Sequence, residues 1–434
     1  MRPFALLLAG SFVLACSSSK SEAPAEDPCA GISGTCVGFV AGRDDERKIQ
    51  TAFATAAPGT TLAFGAGTFP FTNSLALATE RITVVGKGLD KTFLDFSGQL
   101  AGSEALSITK GSFVIQDLAV RDAKGDAIKV EGADGVTFRR VRAEWSRGAA
   151  KGNGAYGLYP VSCKNVLIEG CQSYGASDAG IYIGQSEKII VRQSLADSNV
   201  AGIEIENSHD ADVTQNEAKN NTAGILVFDL PGLPSKNGGG VRVFGNNVHD
   251  NNTHNFAATG SIVGKVPAGT GVLVMANHDV EVFQNTLTAN GTVGIGVVSY
   301  YIAQDDGFDK RDPAYYPYPQ LVYVHDNASV NTGTAPDVTN LIGNTLKISI
   351  KTFPGEHVPD VVYDGIVDDK RASTGLSKNT MDLCVRLPSG GTFANLKAAS
   401  GGPGVGFPDM TTDVTPFACD LKALPGVTTN GAGR

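Results

Sequence analysis

Tryptophan is almost missing from this chain, with one residue in 434, and histidine is scarce at six. Charged residues make up only 18%. So little charge excludes a long coiled coil or a solvated disordered chain, and with 53 glycines it suits turn-rich β structure. The formal net charge of −9 argues against a nucleic-acid partner, since phosphate binding needs clustered Lys and Arg. No two of His209, His249 and His278 show a metal-ligand spacing such as His-x-x-x-His, and no Ser-His-Asp set stands out. The one long apolar run, residues 4–15 behind Arg2, is too short to span a bilayer and reads as a signal-peptide core.

What the chain has in abundance is repetition. Gly180-Ile181-Tyr182-Ile183, Gly202-Ile203-Glu204-Ile205 and Gly224-Ile225-Leu226-Val227 recur at steps of 22 residues. Self-similarity at this period marks a solenoid, in which a repeat cannot bury its apolar face without neighbours. Short alternating strands between Gly, Asn and Ser turns favour a parallel β-helix over helical repeats. The crossover preference of parallel strands makes it right-handed. The expected fold is therefore an all-β, right-handed parallel β-helix with an N-terminal helical cap and an irregular C-terminal arm. A second column three residues beyond the apolar one runs Ser194, Asn216, Asn246, Asn285, Asn327, and reads as a stacked Asn ladder.

The cysteines follow from export. Val13-Leu14-Ala15-Cys16 resembles a bacterial lipobox, which implies acylation of Cys16 and, with Ser17 next, the outer membrane. In an oxidising setting Cys29 and Cys36 close a local loop, and Cys384 and Cys419 are placed to pin the tail. Cys163 and Cys171 bracket an extended strand, which holds them too far apart to bridge, and read as buried thiols. Residues 44–56 carry helical spacing, and the helix, strand and Ala66-Gly67-Thr68-Phe69 turn look like the N-terminal cap of pectate-lyase-type β-helices. The expected organisation is a signal peptide over 1–15, a tether and small Cys loop over 16–43, a cap over 44–81, coils over 82–350, and a C-terminal cap and arm over 351–434. Insertions at 229–240, 249–270 and 299–319 break the register and are candidate walls of a site.

The runs at 180–186, 201–208, 224–231 and 267–272, with Phe393-Ala394-Asn395-Leu396 and Phe417-Ala418-Cys419, resemble a bacterial family of exported, often lipid-anchored β-helix repeat proteins within the pectate-lyase-like superfamily. The resemblance implies export, the fold and a partner among secreted cytochrome-like proteins. It transfers no activity.

Candidate chemistry lies on the outward side of each coil's first strand. Alternation sends Lys129, Tyr159, Tyr182, Glu204 and Leu226 outward, beside a row with Glu131, Glu206 and Phe228, and Asp229 follows directly. Three readings arise. A flat face with stacked tyrosines and carboxylates suits an extended polysaccharide. A lyase or epimerase would need a base, for which Tyr182, Tyr159 and His209 are candidates, and Glu204, Glu206 and Asp229 form a candidate Ca²⁺ set. No Asp-Pro-His run of the kind seen in mannuronan epimerases is present. The third reading is a non-catalytic rod that docks a secreted protein. Cross-strand packing alone also accounts for a Tyr–Tyr pair. The sharpest expectation, for the glycan reading, is that Tyr182, Glu204 and Asp229 lie on one exposed face and together define the ligand site.

Overall fold

The computed structural model describes residues 26–109, 111–302, 307, 309–368 and 383–430, so Cys16 and the leader lie outside the described residues. Each middle coil holds three strands. Ala179–Gly184 is followed by Glu187–Arg192 and Leu195–Asp197, and the next coil repeats them as Ala201–Glu206, His209–Thr214 and Glu217–Lys219. Strands stack in parallel on their equivalents, so Ile181 lies over Ile203, Ile203 over Ile225 and Ile225 over Val272. Among the described residues the first strands build a small sheet of 11 strands, and the other two build a large sheet of 20. Between them runs one continuous core of Ile, Val, Leu and Phe.

The turns explain how polar residues enter that core. Gln193, Gln215 and Gln284 take left-handed backbone and aim the next residue inward. There Asn216 donates from Nδ2 to Asn246 Oδ1 at 3.1 Å, Asn246 to Asn285 at 2.9 Å, and Asn285 to Asn327 at 3.0 Å. A second ladder, Asn199–Asn221–Asn251–Asn290, runs parallel to it at 2.9–3.0 Å. Each amide is buried and paired, so the coils are locked in register without unsatisfied groups. The second ladder needs glycine opposite it. A Cβ on Gly180 would stand 2.6 Å from Asn199 Nδ2, and one on Gly202 would stand 2.8 Å from Asn221 Nδ2.

Helix α1 (Glu46–Thr55) is capped by Asp45, which accepts from Lys48 N, and buries Ile49 and Phe53 against the end of the core. The β-structure extends beyond the expected limits of 82–350. Cys36–Phe39 already pairs with Thr61–Phe64, so the first coil begins within the expected tether. Val361–Tyr363, Leu383–Arg386 and Phe393–Asn395 continue both sheets beyond residue 350. Residues that looked like a last coil form helix α2 (Leu341–Ser349) instead, with Asn340 accepting from the backbone N–H of Ile342 and Gly343. Cys29–Cys36 and Cys384–Cys419 are bridged, and Cys163 and Cys171 are buried free thiols. Among the described residues no helix is long and apolar enough to cross a membrane.

Beyond Cys419 the chain turns back along the outside of the large sheet. Tyr323 donates its hydroxyl to Asp420, Leu424 N donates to Glu281, Val427 N to Asp212 and Asn430 N to Asn165, at 2.8–3.3 Å.

Candidate functional site

The outward row of the small sheet is in register as expected. Lys129 pairs with Tyr159, Tyr182 with Glu204, Glu204 with Leu226, and Leu226 with Leu273. Its exposure is not as expected. Tyr182 is 4% exposed, Glu204 1%, and Phe228 and Asp229 0%, so the face is a covered groove rather than an open one.

The cover comes from insertions at both ends of the strands. Residues 229–238 and the described residues of 299–319 leave from the C-terminal ends after Phe228 and Val298. They are tied together where Tyr315 Oη donates to Asp229 O at 2.8 Å, Asn237 Nδ2 to Ala314 O at 3.0 Å, and Gly232 N to Asp312 at 2.8 Å. Residues 250–269 and 331–360 lead into the N-terminal ends, joined where Ala268 N donates to Asp337 at 3.0 Å and Asn340 Nδ2 to Lys265 O at 2.9 Å. Val263, Val266 and Leu346 from one wall and Tyr300, Ile302 and Tyr315 from the other meet Leu226 and Phe228 in a second apolar cluster. Burying a large apolar side chain stabilises by about 1.5–3 kcal/mol, which is ample reason for the walls to close.

Toward the N-terminal coils the cover ends and the groove opens. Lys129, Tyr156, Tyr159, Asp126 and Asp178 are partly exposed there. Three tyrosine rings pack together, with centroids 4.4 Å apart for Tyr156–Tyr159, 4.6 Å for Tyr156–Tyr182 and 5.0 Å for Tyr159–Tyr182. Tyr182 donates its hydroxyl to Glu206 Oε1 at 2.6 Å, while Glu204 Oε2 is buried with no hydrogen-bond partner.

Burial and mutual repulsion disfavour ionisation of these carboxyls. Desolvation, with a smaller contribution from Glu104, pushes Asp126 up to about 6. Desolvation and the charges of Glu206 and Asp126 push Asp178 up to about 7. Glu204 is pushed well above the usual carboxylate range by burial, then by Glu206 and Asp178. Glu206 is also raised by burial, against the opposing hydrogen bond from Tyr182. Burial likewise pushes the Tyr159 phenol up to about 12 and Tyr182 well above its ordinary value. Both phenols keep their protons near neutral pH, and Tyr182 spends its proton on the bond to Glu206.

Other expected site residues fall elsewhere. His209 begins a large-sheet strand, paired with Glu187 and Gly239, away from the outward row. Asp229 accepts from Asn237 N at 3.0 Å and Gly238 N at 2.9 Å, so it fastens the wall. No group of three or more His, Cys, Asp or Glu among the described residues is gathered to hold a metal, which removes the support for Ca²⁺ at Glu204, Glu206 and Asp229. Lys129 sits 3.4 Å from Glu131 and 5.7 Å from the centre of the Tyr159 ring, at the open foot. Asp126, Tyr156 and Asp178 were not foreseen as part of the cluster.

A family model described as a right-handed β-helix region matches residues 104–262. The mannuronan C-5 epimerase A-module of Azotobacter vinelandii is 15% identical, with 67% of this chain and 92% of that one covered at a TM-score of 0.37. An alginate lyase from a Paenibacillus species is 14% identical over 68% and 95%, at 0.32. A DFA-IIIase from Arthrobacter chlorophenolicus is 12% identical over 66% and 84%, at 0.43. No curated protein sequence matches. The stacked parallel coils and the family match make this chain a right-handed parallel β-helix.

Proposed function

We propose that the protein is an exported β-helix that binds an extended polysaccharide or oligosaccharide at the open foot of the small-sheet groove. The observation that carries this reading is the pair of partly exposed tyrosines, Tyr156 and Tyr159, packed on Tyr182 beside Asp126, Asp178 and Lys129. Tyr156 and Tyr159 offer rings for stacking, and Lys129, Asp126 and Asp178 offer groups for hydroxyls and a carboxylate. Burial holds Asp126 at about 6 and Asp178 at about 7, so at the foot they present carboxyls able to donate as well as accept hydrogen bonds to sugar hydroxyls near neutral pH. Membrane attachment through Cys16 is part of the same reading. A Cys16→Ser protein should leave the membrane fraction.

The test is calorimetry against alginate, pectin and neutral glycans, with ultraviolet detection of unsaturated products. Tyr159→Ala should weaken binding by about 1–2 kcal/mol, by analogy with aromatic platforms for bases. A parent protein that binds no glycan on the panel, and is retained only by a protein partner, would replace this reading with that of a docking rod.

A further inference from the structure

The tail over the large sheet lies there as a peptide ligand would. Residues 420–430 form neither helix nor strand. Leu421, Leu424 and Val427 are half-buried, while Lys422, Ala423, Pro425, Gly426 and Thr428 between them are exposed. A side chain turned inward at every third residue is the period of a polyproline II chain, which makes no hydrogen bonds to itself. The backbone donors go to side chains of the sheet instead. Leu424 N donates to Glu281 and Val427 N to Asp212, each at 3.1 Å, and Asn430 N to Asn165 at 3.3 Å. Pro425, which has no N–H, falls between two donors. The acceptors stand two coils apart. That is about 9.6 Å at the strand spacing, against about 9.3 Å for three residues of such a chain. Backbone N–H groups carry no side-chain identity, so this ruler of acceptors suits any extended peptide, not the tail alone.

The tail also fits loosely. A space of about 350 Å³ separates it from the sheet, lined by Val280, Glu281, Leu321 and Tyr323 on one side and by Leu421 and Leu424 on the other. A cavity of about 150 Å³ holds a benzene ring, so the two leucines leave room for an aromatic side chain. We infer that the outer face of the large sheet is a docking track for an extended segment of a partner protein, and that the tail is its displaceable occupant. The partner segment is polyproline-like, with an apolar residue at every third position and an aromatic one over the unfilled space. Main-chain donors supply its hold, and the side-chain pockets supply its specificity. The track lies on the other sheet from the proposed glycan groove, so neither reading depends on the other.

The experiment is fluorescence anisotropy with labelled peptides, on the full chain and on a chain ending at Asp420, which keeps the Cys384–Cys419 bridge. The first probe is the sequence of residues 421–430 with Leu424→Trp. The second is the same peptide with one glycine inserted after Gly426, which moves the last two donors out of register. The third is the unaltered tail sequence. The first probe should bind the shortened chain, and the second about tenfold more weakly or worse, having lost two hydrogen bonds. The unaltered sequence should bind about fivefold more weakly than the first, for want of the ring. The full chain should bind the first probe about two- to fivefold more weakly than the shortened one, because its own tail competes. Equal affinity of the first and second probes would overturn the register, and with it the track. That comparison is made on the full chain as well, so it decides even where the shortened chain fails to fold by circular dichroism. No binding to the folded shortened chain at millimolar peptide would overturn the inference outright. Equal binding of the first probe by the full and shortened chains would place the peptide elsewhere and overturn it too. Tryptophan binding no better than leucine would overturn the aromatic partner.

Discussion

The two sheets of this rod are covered on their outer faces by different means. Over the small sheet the covering segments bring apolar side chains, and Tyr182, Glu204, Leu226, Phe228 and Met275 beneath them are buried. Over the large sheet the cover is the extended tail, residues 420–430, most of it exposed, held by hydrogen bonds to side chains of successive coils. The floor differs accordingly. The large sheet shows ion pairs and stacked rings, with Arg242 held by Asp212 and with Phe244, Phe283 and His325 at centroid spacings of 4.9 and 5.2 Å. A charged, self-satisfied surface needs no apolar cover. A surface bearing Leu226, Phe228, Leu273 and Met275 does, and the insertions supply it.

The largest expected effect strikes what both faces share. Ile203→Asp places an unpaired charge in the inner core and should unfold the middle coils, abolishing both faces together in circular dichroism. A variant that melts like its parent would show that Ile203 is not core. Next, Phe228→Ala should separate the faces. It removes a fully buried ring from the small-sheet cover and should cost about 3–5 kcal/mol in denaturant unfolding. Protease sensitivity should rise in the insertions while the tail stays protected. Equal exposure of the tail would mean that the two covers are not independent.

Much of this was legible from the repeat. The step of 22 fixes the Ile181–Ile203–Ile225 column, and the Asn216–Asn327 ladder follows once the strands are realigned across insertions that lengthen its steps to 30, 39 and 42 residues. The second ladder carried the same signal, since Asn199 and Asn221 are also 22 apart. Tyr156 was hidden because the strand bends at Gly157. The Cβ of that glycine would meet buried Ser173 and Ala143, so Gly157 and Leu158 both face inward and simple alternation fails. Burial of Glu204 was not legible at all. Exposure depends on where distant insertions fold, and an outward Glu has the same local sequence whether solvated or covered.

The carboxyl cluster sharpens the comparison through pH. A carboxyl whose folded pKa is raised binds its proton more tightly in the folded state, so stability is highest below the unfolded value and falls as pH rises to the folded one. For Asp178 that window runs from 3.8 to about 7. Each such proton is worth about 1.4 kcal/mol per pH unit across its window. Glu204→Gln removes one carboxyl that the fold holds well above its ordinary value, so unfolding free energy should fall less steeply between pH 5 and 7 than in the parent. Parallel curves would mean that Glu204 is ionised or solvated.

The smallest effect is expected from the tail. Its donors Leu424, Val427 and Asn430 are three residues apart, and their acceptors Glu281, Asp212 and Asn165 are each two coils apart. Three residues of extended polyproline-like chain cover about 9.3 Å, and two coils about 9.6 Å, so a straight tail meets an acceptor at every third residue. Three hydrogen bonds along a mostly exposed segment work against the backbone entropy of ordering it. Truncation after Lys422, which keeps the Cys384–Cys419 bridge, should therefore change unfolding free energy by no more than about 1 kcal/mol. Hydrogen exchange should instead rise nowhere but along the large-sheet strands under the tail. A loss of several kcal/mol would show that the tail closes the large sheet as the insertions close the small one, and the contrast between the faces would fail.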